Sequence, residues 1–441
     1  MTEEKIIDSI LKNTKGYDCH IILTSYTKNL TRFGDNEISQ NVSSTDISAN
    51  VRITDGERVY KFVISKFDEI SIKDAISRAI SNMKMTKKAE FIPPPTTSVI
   101  KIDSDRYFDE SVSFISPLDR ASRIKKFLNF CSKTGRLSYG TISNSYGVFI
   151  VANSNGIFQR QKETSYEYEI TVNKDGAYGK AVGYSFKDDI NIDEINEKAL
   201  NKSDLAKNPI EIKPSKYTVI VEGLAVSEFL PFFGYLGFNA LAFYEKRSFA
   251  TDNLGKKIFS EKLTICDDPS DISCPTLLFD LEGMPRKKIV LVEKGVLKNL
   301  VTDKKTSKLC NMPYTGNSAF EPNAVGAIPF SLLVESGQRS LQDIIKDTEK
   351  GILVTEFHYT NVLKPKTIEM TGMTRNGTYL IESGKIKKAI KNMRFTQNMV
   401  EALNNIEEIS KESYVFKGWW SVIKTPAIKI RDFNFTSSTE F

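Results

Sequence analysis

Apolar and polar positions in the first part of the chain alternate between helical and strand-like spacing. Residues 3–15 place a row of isoleucine and leucine on one face of a predicted helix. Stretches with the two-residue period of a strand follow, and Asp55-Gly56 between two of them is typical of a hairpin turn. A second amphipathic helix, which we expect Ser71 to cap, ends before the proline cluster at residues 93–95.

The same succession of helix and strands repeats from about Phe108, and an acidic and lysine-rich helix ends near Lys207. We place the main domain boundary at Asn208-Pro209, where the helical pattern stops. The predicted N-terminal α/β domain is residues 1–208, with two subregions at about 1–95 and 105–208.

Beyond this boundary the pattern changes to many short strands with few helices. We expect an apolar helix over Ser227–Lys246, a short helix at about 340–350 and a longer helix capped by Thr396. Strand-like stretches continue to the closing run WWSVIKTPAIKIRDFNFTS, and their regular turns favour a closed or sandwich-like sheet. The predicted class is α+β, with an N-terminal α/β region followed by a mostly β C-terminal domain over 209–441.

Composition and charge indicate a soluble chain that we expect in the cytoplasm. Of 441 residues 40% are hydrophobic, yet no apolar run approaches the roughly 20 residues that cross a membrane. The first ten residues carry glutamates where a signal peptide would be basic, and five cysteines form no C-x-x-C pair. The 61 basic and 55 acidic residues nearly balance, so neither a membrane nor nucleic acid is an expected partner.

Histidine is scarce, which restricts the chemistry of the chain. The sequence holds His20 and His358 alone, each within a strand-like run. A catalytic triad needs a histidine held by a carboxylate, and zinc sites generally use two or three. We therefore expect two ordinary strand histidines, and no catalytic residue or metal ligand is predicted in this chain.

Cysteines and carboxylates leave other chemistry open. Cys266 or Cys310 could act as a nucleophile only beside a base. Asp267, Asp268 and Asp271, followed by Asp280 and Glu282, could do acid–base work or hold a hard cation. We favour a solvated loop of turn-forming aspartates, because the spacing matches no calcium-loop motif. The basic run over residues 385–394 alternates with apolar residues and is expected on the outer face of a hairpin.

Several separate motifs carry a resemblance to one family. The stretch VEGLAVSEFLPFFGYLGFNALAFYEKRSFATDNLGKKIFSEKLTICDDPSD resembles the segment that opens the C-terminal domain of the TldD/PmbA family. FDLEGMPRKKIVLVEKGVLKNLVTDKKTS, YTGNS and the closing TPAIKIRDFNFTSST are similar too, as are FGDNEISQNVSS and ANSNG in the first domain. Members were once called modulators of DNA gyrase and are regarded as peptide-maturation metalloproteases. The resemblance covers nearly the whole chain.

The chain departs from this family at the zinc motif. In the TldD branch the helix carries H-E-x-x-x-H, whose histidines bind zinc while the glutamate activates water. Leu230, Pro231 and Tyr235 stand at the positions of the first histidine, the glutamate and the last histidine. Leucine and proline offer no side-chain donor and tyrosine is a rare zinc ligand. The resemblance therefore implies the PmbA/TldE branch, with no cofactor in this chain and zinc only in a TldD-type partner.

What the resemblance implies is a non-metal-binding subunit of a TldD/TldE-type metalloprotease. Such a subunit would pair with a TldD-type paralogue, or with itself, and would form part of an enclosed channel for a peptide substrate. Most of the apolar helix is expected in the core, with Pro231 in its first turn and with Gly234 and Gly237 admitting a close neighbour. The substrate-groove candidates are Tyr235, Asn239, Tyr314 and Asn317.

Two alternatives from other classes remain. One is a self-sufficient peptidase or hydrolase that uses Cys266, Cys310 or the carboxylates at 267–282. The other is a DNA- or gyrase-associated binding protein, which the older family name and the formal charge of +6 suggest.

Overall fold

The computed structural model of the chain describes residues 1–97, 99–418 and 421–439. The α-helices are α1 Glu3–Asn13, α2 Glu69–Met85, α3 Glu110–Ser113, α4 Pro117–Lys133, α5 Ile192–Leu205, α6 Gly223–Phe232, α7 Ala240–Tyr244, α8 Lys304–Cys310, α9 Leu341–Lys346 and α10 Met399–Asn404. A π-helical turn spans Phe233–Gly237, and 3-10 turns span Phe249–Asp252 and Pro365–Thr367. Within those ranges, no helix is long and apolar enough to cross a membrane.

The strands of the first sheet are β1 Asp18–Gly34, β2 Glu37–Thr54, β3 Val59–Ile64, β4 Asp103–Tyr107, β5 Leu137–Asn153, β6 Phe158–Lys174 and β7 Ala177–Ser185. The strands of the second sheet are β8 Lys216–Val221, β9 Ile265–Asp267, β10 Ile289–Glu293, β11 Val296–Leu297, β12 Ser331–Val334, β13 Lys350–Lys364, β14 Glu369–Glu382, β15 Lys385–Ala389, β16 Met393–Asn398, β17 Ile406–Lys417 and β18 Val422–Ser438. Trp419 and Trp420, which open the last predicted strand, lie outside the described residues.

The first sheet is shared by both predicted subregions of the N-terminal domain. Its order is β3-β2-β1-β5-β6-β4, with β7 also on β6, and β1 pairs with β5 from His20 to Phe33. The turn between β2 and β3 forms at Asp55-Gly56 as predicted, since Gly56 has a φ of 90° and the Asp55 carboxylate accepts from the Arg58 amide at 2.7 Å. The amphipathic helices α1 and α2 bury their isoleucine faces against β1–β3.

The second sheet closes on itself, and the predicted α+β class is confirmed. Pairings run from β18 to β16, β14, β13 and β8 and return from β8 to β18, where Ile428 faces Val221. Parallel and antiparallel pairs both occur, since β8 and β13 run parallel. Helix α6 packs against β13 and β18 over the main apolar core of this domain.

Two predicted helix starts are wrong. Asp68 rather than Ser71 caps α2, because the Asp68 carboxylate accepts from the Ser71 amide at 2.8 Å. Thr396 lies within strand β16, and the helix after it is only α10, capped by Asn398. The sequence from Ile406 forms strand β17 because it pairs with β18, which outweighs the local helical spacing.

Candidate functional site

The apolar helix that opens the second domain is broken into three parts. Helix α6 begins at Gly223 without a side-chain cap, so Ser227 lies inside it and donates its hydroxyl to the Leu224 carbonyl at 2.7 Å. Pro231 therefore lies near the end of α6 rather than in a first turn. The π-helical turn follows, with the Phe238 amide bonded to the Phe233 carbonyl at 2.7 Å. A proline and a π-helical turn are common causes of such breaks, and the continuous helix predicted over Ser227–Lys246 is wrong.

The positions that correspond to the zinc motif point in different directions. Leu230 is buried in the apolar core, whereas Pro231 and Tyr235 line a small cavity of about 70 Å³. The Tyr235 ring packs on Phe232 at 5.9 Å between centroids. Burial raises the pKa of Tyr235, so its hydroxyl is a hydrogen-bond donor at neutral pH. These side chains could hold a peptide, but their donor set does not fit a zinc ion.

The two glycines of the π-helical turn are close to other parts of the same chain. A Cβ added at Gly237 would lie 2.2 Å from the Phe249 ring, and one added at Gly234 would lie 3.1 Å from Pro329. The close neighbour expected at these glycines is thus the protein's own core, and it holds the turn that carries Tyr235 in place.

A larger groove of about 350 Å³ adjoins this cavity and shares Lys417 and Gly418 with it. We call the two together the interdomain groove. One wall comes from the first sheet and the other from the second domain; the lining residues include Tyr26, Lys28, Ser145, Glu163, Ser165 and Tyr184 on the first and Thr276, Leu277, Phe330, Pro231 and Tyr235 on the second. A peptide lying there would contact both domains.

The floor of the interdomain groove is polar and internally bonded. The Tyr26 hydroxyl donates to Glu163 at 2.6 Å, and burial raises the pKa of Glu163. Lys417 lies 2.6 Å from Glu167. This wall was not predicted from the sequence. The alternation of Ser143, Ser145 and Gly147 in β5 could have indicated it, because small polar residues cannot fill a core.

Of the four predicted groove residues, Tyr235 alone lines the interdomain groove. Asn239 is buried, donates to the Val325 carbonyl at 2.6 Å and caps α7. Asn317 is buried and donates to Asp267 at 2.6 Å. Tyr314 donates its hydroxyl to Asp280. Asn239, Tyr314 and Asn317 thus make hydrogen bonds within the chain.

The carboxylates at 267–282 do not form the solvated loop that we expected. Asp267, Asp280 and Glu282 are buried; Asp267 and Glu282 pair with arginines, whereas Asp280 accepts hydrogen bonds from the Tyr314 hydroxyl and the Ser318 amide. Asp267 accepts from Arg286 at 2.5 Å. Both carboxylate oxygens of Glu282 accept hydrogen bonds from Arg52, at 2.5 and 2.8 Å. Asp268, which is also buried, and the half-buried Asp271 pair with lysines at 3.1 and 2.7 Å. The solvated-loop prediction is wrong because Arg52 and Arg286 compensate the buried charges.

We call Arg52, Glu282, Lys304 and His20 the interdomain ion cluster. Arg52 lies on β2 in the first domain, while Glu282 and Lys304 belong to the second, with Lys304 Nζ 3.4 Å from Glu282. Burial would raise the pKa of Glu282, but the charges of Arg52 and Lys304 and the hydrogen bonds from Arg52 lower it to about 2, and His20 adds to this effect only when it is protonated. The carboxylate is therefore ionised at neutral pH and joins the two domains.

His20 is neutral within this cluster, which predicts a pH effect. Its Nε2–H donates to the Leu281 carbonyl at 2.8 Å, and burial lowers its pKa to about 4. Because the folded pKa lies below the unfolded value near 6.5, this stabilisation is complete above pH 6.5 and is lost as the pH falls toward 4. Over that range we expect the free energy of unfolding of the wild type to fall by roughly 2–4 kcal/mol more than that of His20→Gln. Urea unfolding of both proteins from pH 7 to pH 4 measures the difference, and parallel curves would contradict it.

Among the described residues, neither histidine is hydrogen-bonded to a thiol. Burial raises the pKa of Cys266 and of Cys310, and Cys310 contacts the Ala240 carbonyl at 3.6 Å. His20 binds Leu281, and His358 on β13 contacts Arg375. In the ranges that the structure describes, no group of three or more histidine, cysteine or acidic side chains could hold a metal ion. The basic run at 385–391 lies on β15 and the segment after it, with its lysines largely exposed.

Comparisons with known proteins agree with this architecture. Residues 214–437 match the profile described as the PmbA/TldA metallopeptidase C-terminal domain, and residues 103–205 match that of the central domain. An uncharacterized protein of Methanocaldococcus jannaschii is 25% identical over 383 residues, covering 83% of this chain and 87% of the relative. A metalloprotease PmbA homolog of Buchnera aphidicola is 24% identical over 278 residues, which are 62% of this chain and 55% of the relative. A metalloprotease TldD homolog of the same species is 31% identical over 176 residues, 39% of this chain and 36% of the relative.

Solved structures share the whole fold. TldE from Thermococcus kodakarensis superimposes with a TM-score of 0.86 at 22% identity, covering 98% of this chain and 100% of the other. A Thermotoga maritima protein described as a modulator of a DNA gyrase gives 0.85 at 17% identity, with 99% and 100% coverage. At these identities the likeness shows the fold alone. Since the family profile matches more than half of the sequence, the chain belongs to the PmbA/TldD metallopeptidase family.

Proposed function

We propose that this chain is the non-metal-binding, TldE/PmbA-like subunit of a TldD/TldE-type metalloprotease that acts in proteolysis and peptide maturation. One observation carries the proposal. At the positions of the family's zinc motif stand Leu230, Pro231 and Tyr235, within a domain that otherwise matches the family. Leu230 lies in the core, and the other two offer no imidazole or carboxylate.

In this proposal the two subunits have different roles in catalysis and in peptide binding. A TldD-type partner would hold the zinc ion, which would supply the activation of the attacking water. This chain supplies the interdomain groove as one wall of the peptide channel. Tyr235 can donate a hydrogen bond to a peptide carbonyl, while Pro231 and Phe232 offer apolar contact. Tyr26 and Glu163 hold each other and leave the opposite wall rigid.

The compartment and the assembly are part of the same proposal. We place the protein in the cytoplasm, because its five cysteines are free and their spacing forms no disulfide framework. A heterodimer with a TldD-type paralogue is favoured over a homodimer, because a pair of these chains alone would lack the zinc motif. Mass measurement of the purified mixture distinguishes the two assemblies.

Reconstitution tests the function. We expect the purified chain to hold no stoichiometric zinc and to leave an unstructured peptide intact. Mixed with a paralogue that carries H-E-x-x-x-H, it should cleave that peptide, and changing the paralogue's motif glutamate to glutamine should abolish cleavage. Stoichiometric zinc together with cleavage by this chain alone would overturn the proposal.

The groove assignment has its own test in the reconstituted complex. Tyr235→Phe removes the hydroxyl and keeps the ring, so we expect a lower kcat/KM by about five- to tenfold with unchanged assembly. Tyr244→Phe is the matched control, because Tyr244 is exposed on α7 and does not line the interdomain groove. Equal activities of both variants and wild type would remove Tyr235 from the substrate site.

A further inference from the structure

A cavity of about 540 Å³ lies at the junction of the two domains, and its lining shares no residue with the interdomain groove. We call it the junction cavity. Its walls come from the start of β7, the boundary segment after α5, the strands β13 and β14, and the segment after β15. This volume is in the range of sites for small molecules.

One side of the junction cavity carries a cation without a carboxylate partner. Arg375 on β14 is exposed, and within the described ranges no acidic side chain forms an ion pair with it. Its cross-strand neighbour Glu356 is already bound, to Lys180 at 3.0 Å and to Asn376 at 2.6 Å. The contact that Arg375 does make is to the His358 ring, which accepts from the guanidinium and is therefore neutral on that nitrogen. The guanidinium charge is thus left for an external anion.

Apolar side chains form one part of the remaining wall, beside threonine and asparagine residues. Met373, Ile390 and Pro209 line the cavity beside Arg375. Tyr359 is 78% exposed at its rim and adopts a left-handed φ of 51°. Such a backbone angle is uncommon for a bulky residue, and strain of this kind concentrates at functional sites.

We propose that the junction cavity binds a small carboxylate with an apolar body. The carboxylate pairs with Arg375, whose planar donors match its two oxygens, and the apolar part lies on Met373 and Pro209. The carboxylate can belong to a free acid or to the C-terminus of a peptide. This site is separate from the interdomain groove, and the proposal does not depend on a metal-bearing partner.

Titration of the full chain with N-acetyl-leucine tests the site. We expect N-acetyl-leucine to bind and its carboxamide to bind at least about tenfold more weakly, since the charge-assisted hydrogen bonds are lost. Arg375→Gln should weaken the binding of N-acetyl-leucine by a similar factor. Arg394→Gln is the matched control, because Arg394 is also exposed, lies opposite Met373 on β16 and does not line the cavity. Methyl NMR of Met373 locates the bound ligand.

Three results would contradict the proposal. Equal affinity for the acid and the carboxamide, no binding of the acid, or an unchanged affinity in Arg375→Gln would each overturn it. Titration with a pentapeptide that ends in leucine then identifies the source. Binding as tight as that of N-acetyl-leucine supports capture of peptide C-termini, whereas binding of N-acetyl-leucine alone supports a site for a small free acid.

Discussion

Replacing Arg52 by methionine is expected to lower the free energy of unfolding by about 3–5 kcal/mol. The Arg52 guanidinium is buried, meets both oxygens of Glu282 and also donates to the Glu321 carbonyl at 2.6 Å. Without it, the Glu282 carboxylate stays buried with Lys304 as its remaining cation. Because the pKa of Glu282 is lowered to about 2, the stabilisation is present above its unfolded value near 4.5, and the full loss is visible at pH 7.

Urea unfolding at pH 7 measures this loss, and two further proteins make it specific. Arg58→Met removes a pair with Asp55 at 3.4 Å near the surface, and we expect it to cost no more than about 0.5 kcal/mol. The double variant Arg52→Met with Glu282→Leu removes both charges and should recover part of the stability. A loss below about 1 kcal/mol in the single variant would show that water or a rearranged Lys304 replaces Arg52.

Replacing Gly237 by alanine is expected to destabilise the second domain by about 1–3 kcal/mol. The new methyl group would meet the ring of Phe249 at 2.2 Å. That ring is buried and packs on Phe233, Phe238 and Phe259, so it has little room to move. The π-helical turn would shift and carry Tyr235 with it.

Thermal unfolding measures the effect of Gly237→Ala against a matched glycine. Gly34→Ala is the control, because its Cβ would meet Tyr139 at 3.6 Å, an ordinary contact. We expect the control to change stability by less than about 0.5 kcal/mol. In the reconstituted complex, Gly237→Ala should also reduce peptide cleavage. A stability equal to that of the control would show that the aromatic cluster around Phe249 can yield.

Local patterns predicted the parts of the fold that depend on neighbours in the sequence. The faces of α1 and the turn at Asp55-Gly56 follow from spacing and from backbone preferences that act over a few residues. The start of α2 and the extent of α10 did not follow. At α10 the competing element was strand β17, which pairs with the following strand β18 from Ile406 opposite Ile430 to Lys417 opposite Val422.

Part of the candidate site could likewise be predicted from the sequence, and part could not. Tyr235 could be named from the sequence, since it stands where the resemblance places a zinc ligand. Tyr26 and Glu163 could not, because the wall that they form lies beside the cavity of Tyr235 and Pro231 only when the first sheet packs beside the second domain. Asn239 and Asn317 were named from the sequence but make hydrogen bonds within the core, since polar residues near a motif can serve that purpose.

The sequence by itself determined which chemistry this chain can offer. Side-chain identity decides whether a zinc donor exists, and no packing turns Leu230 or Pro231 into one. The tertiary structure decided where the charges lie. Glu282 is buried and ionised because Arg52, 230 residues away, is packed against it, and burial of a charge depends on partners that only the folded chain brings together.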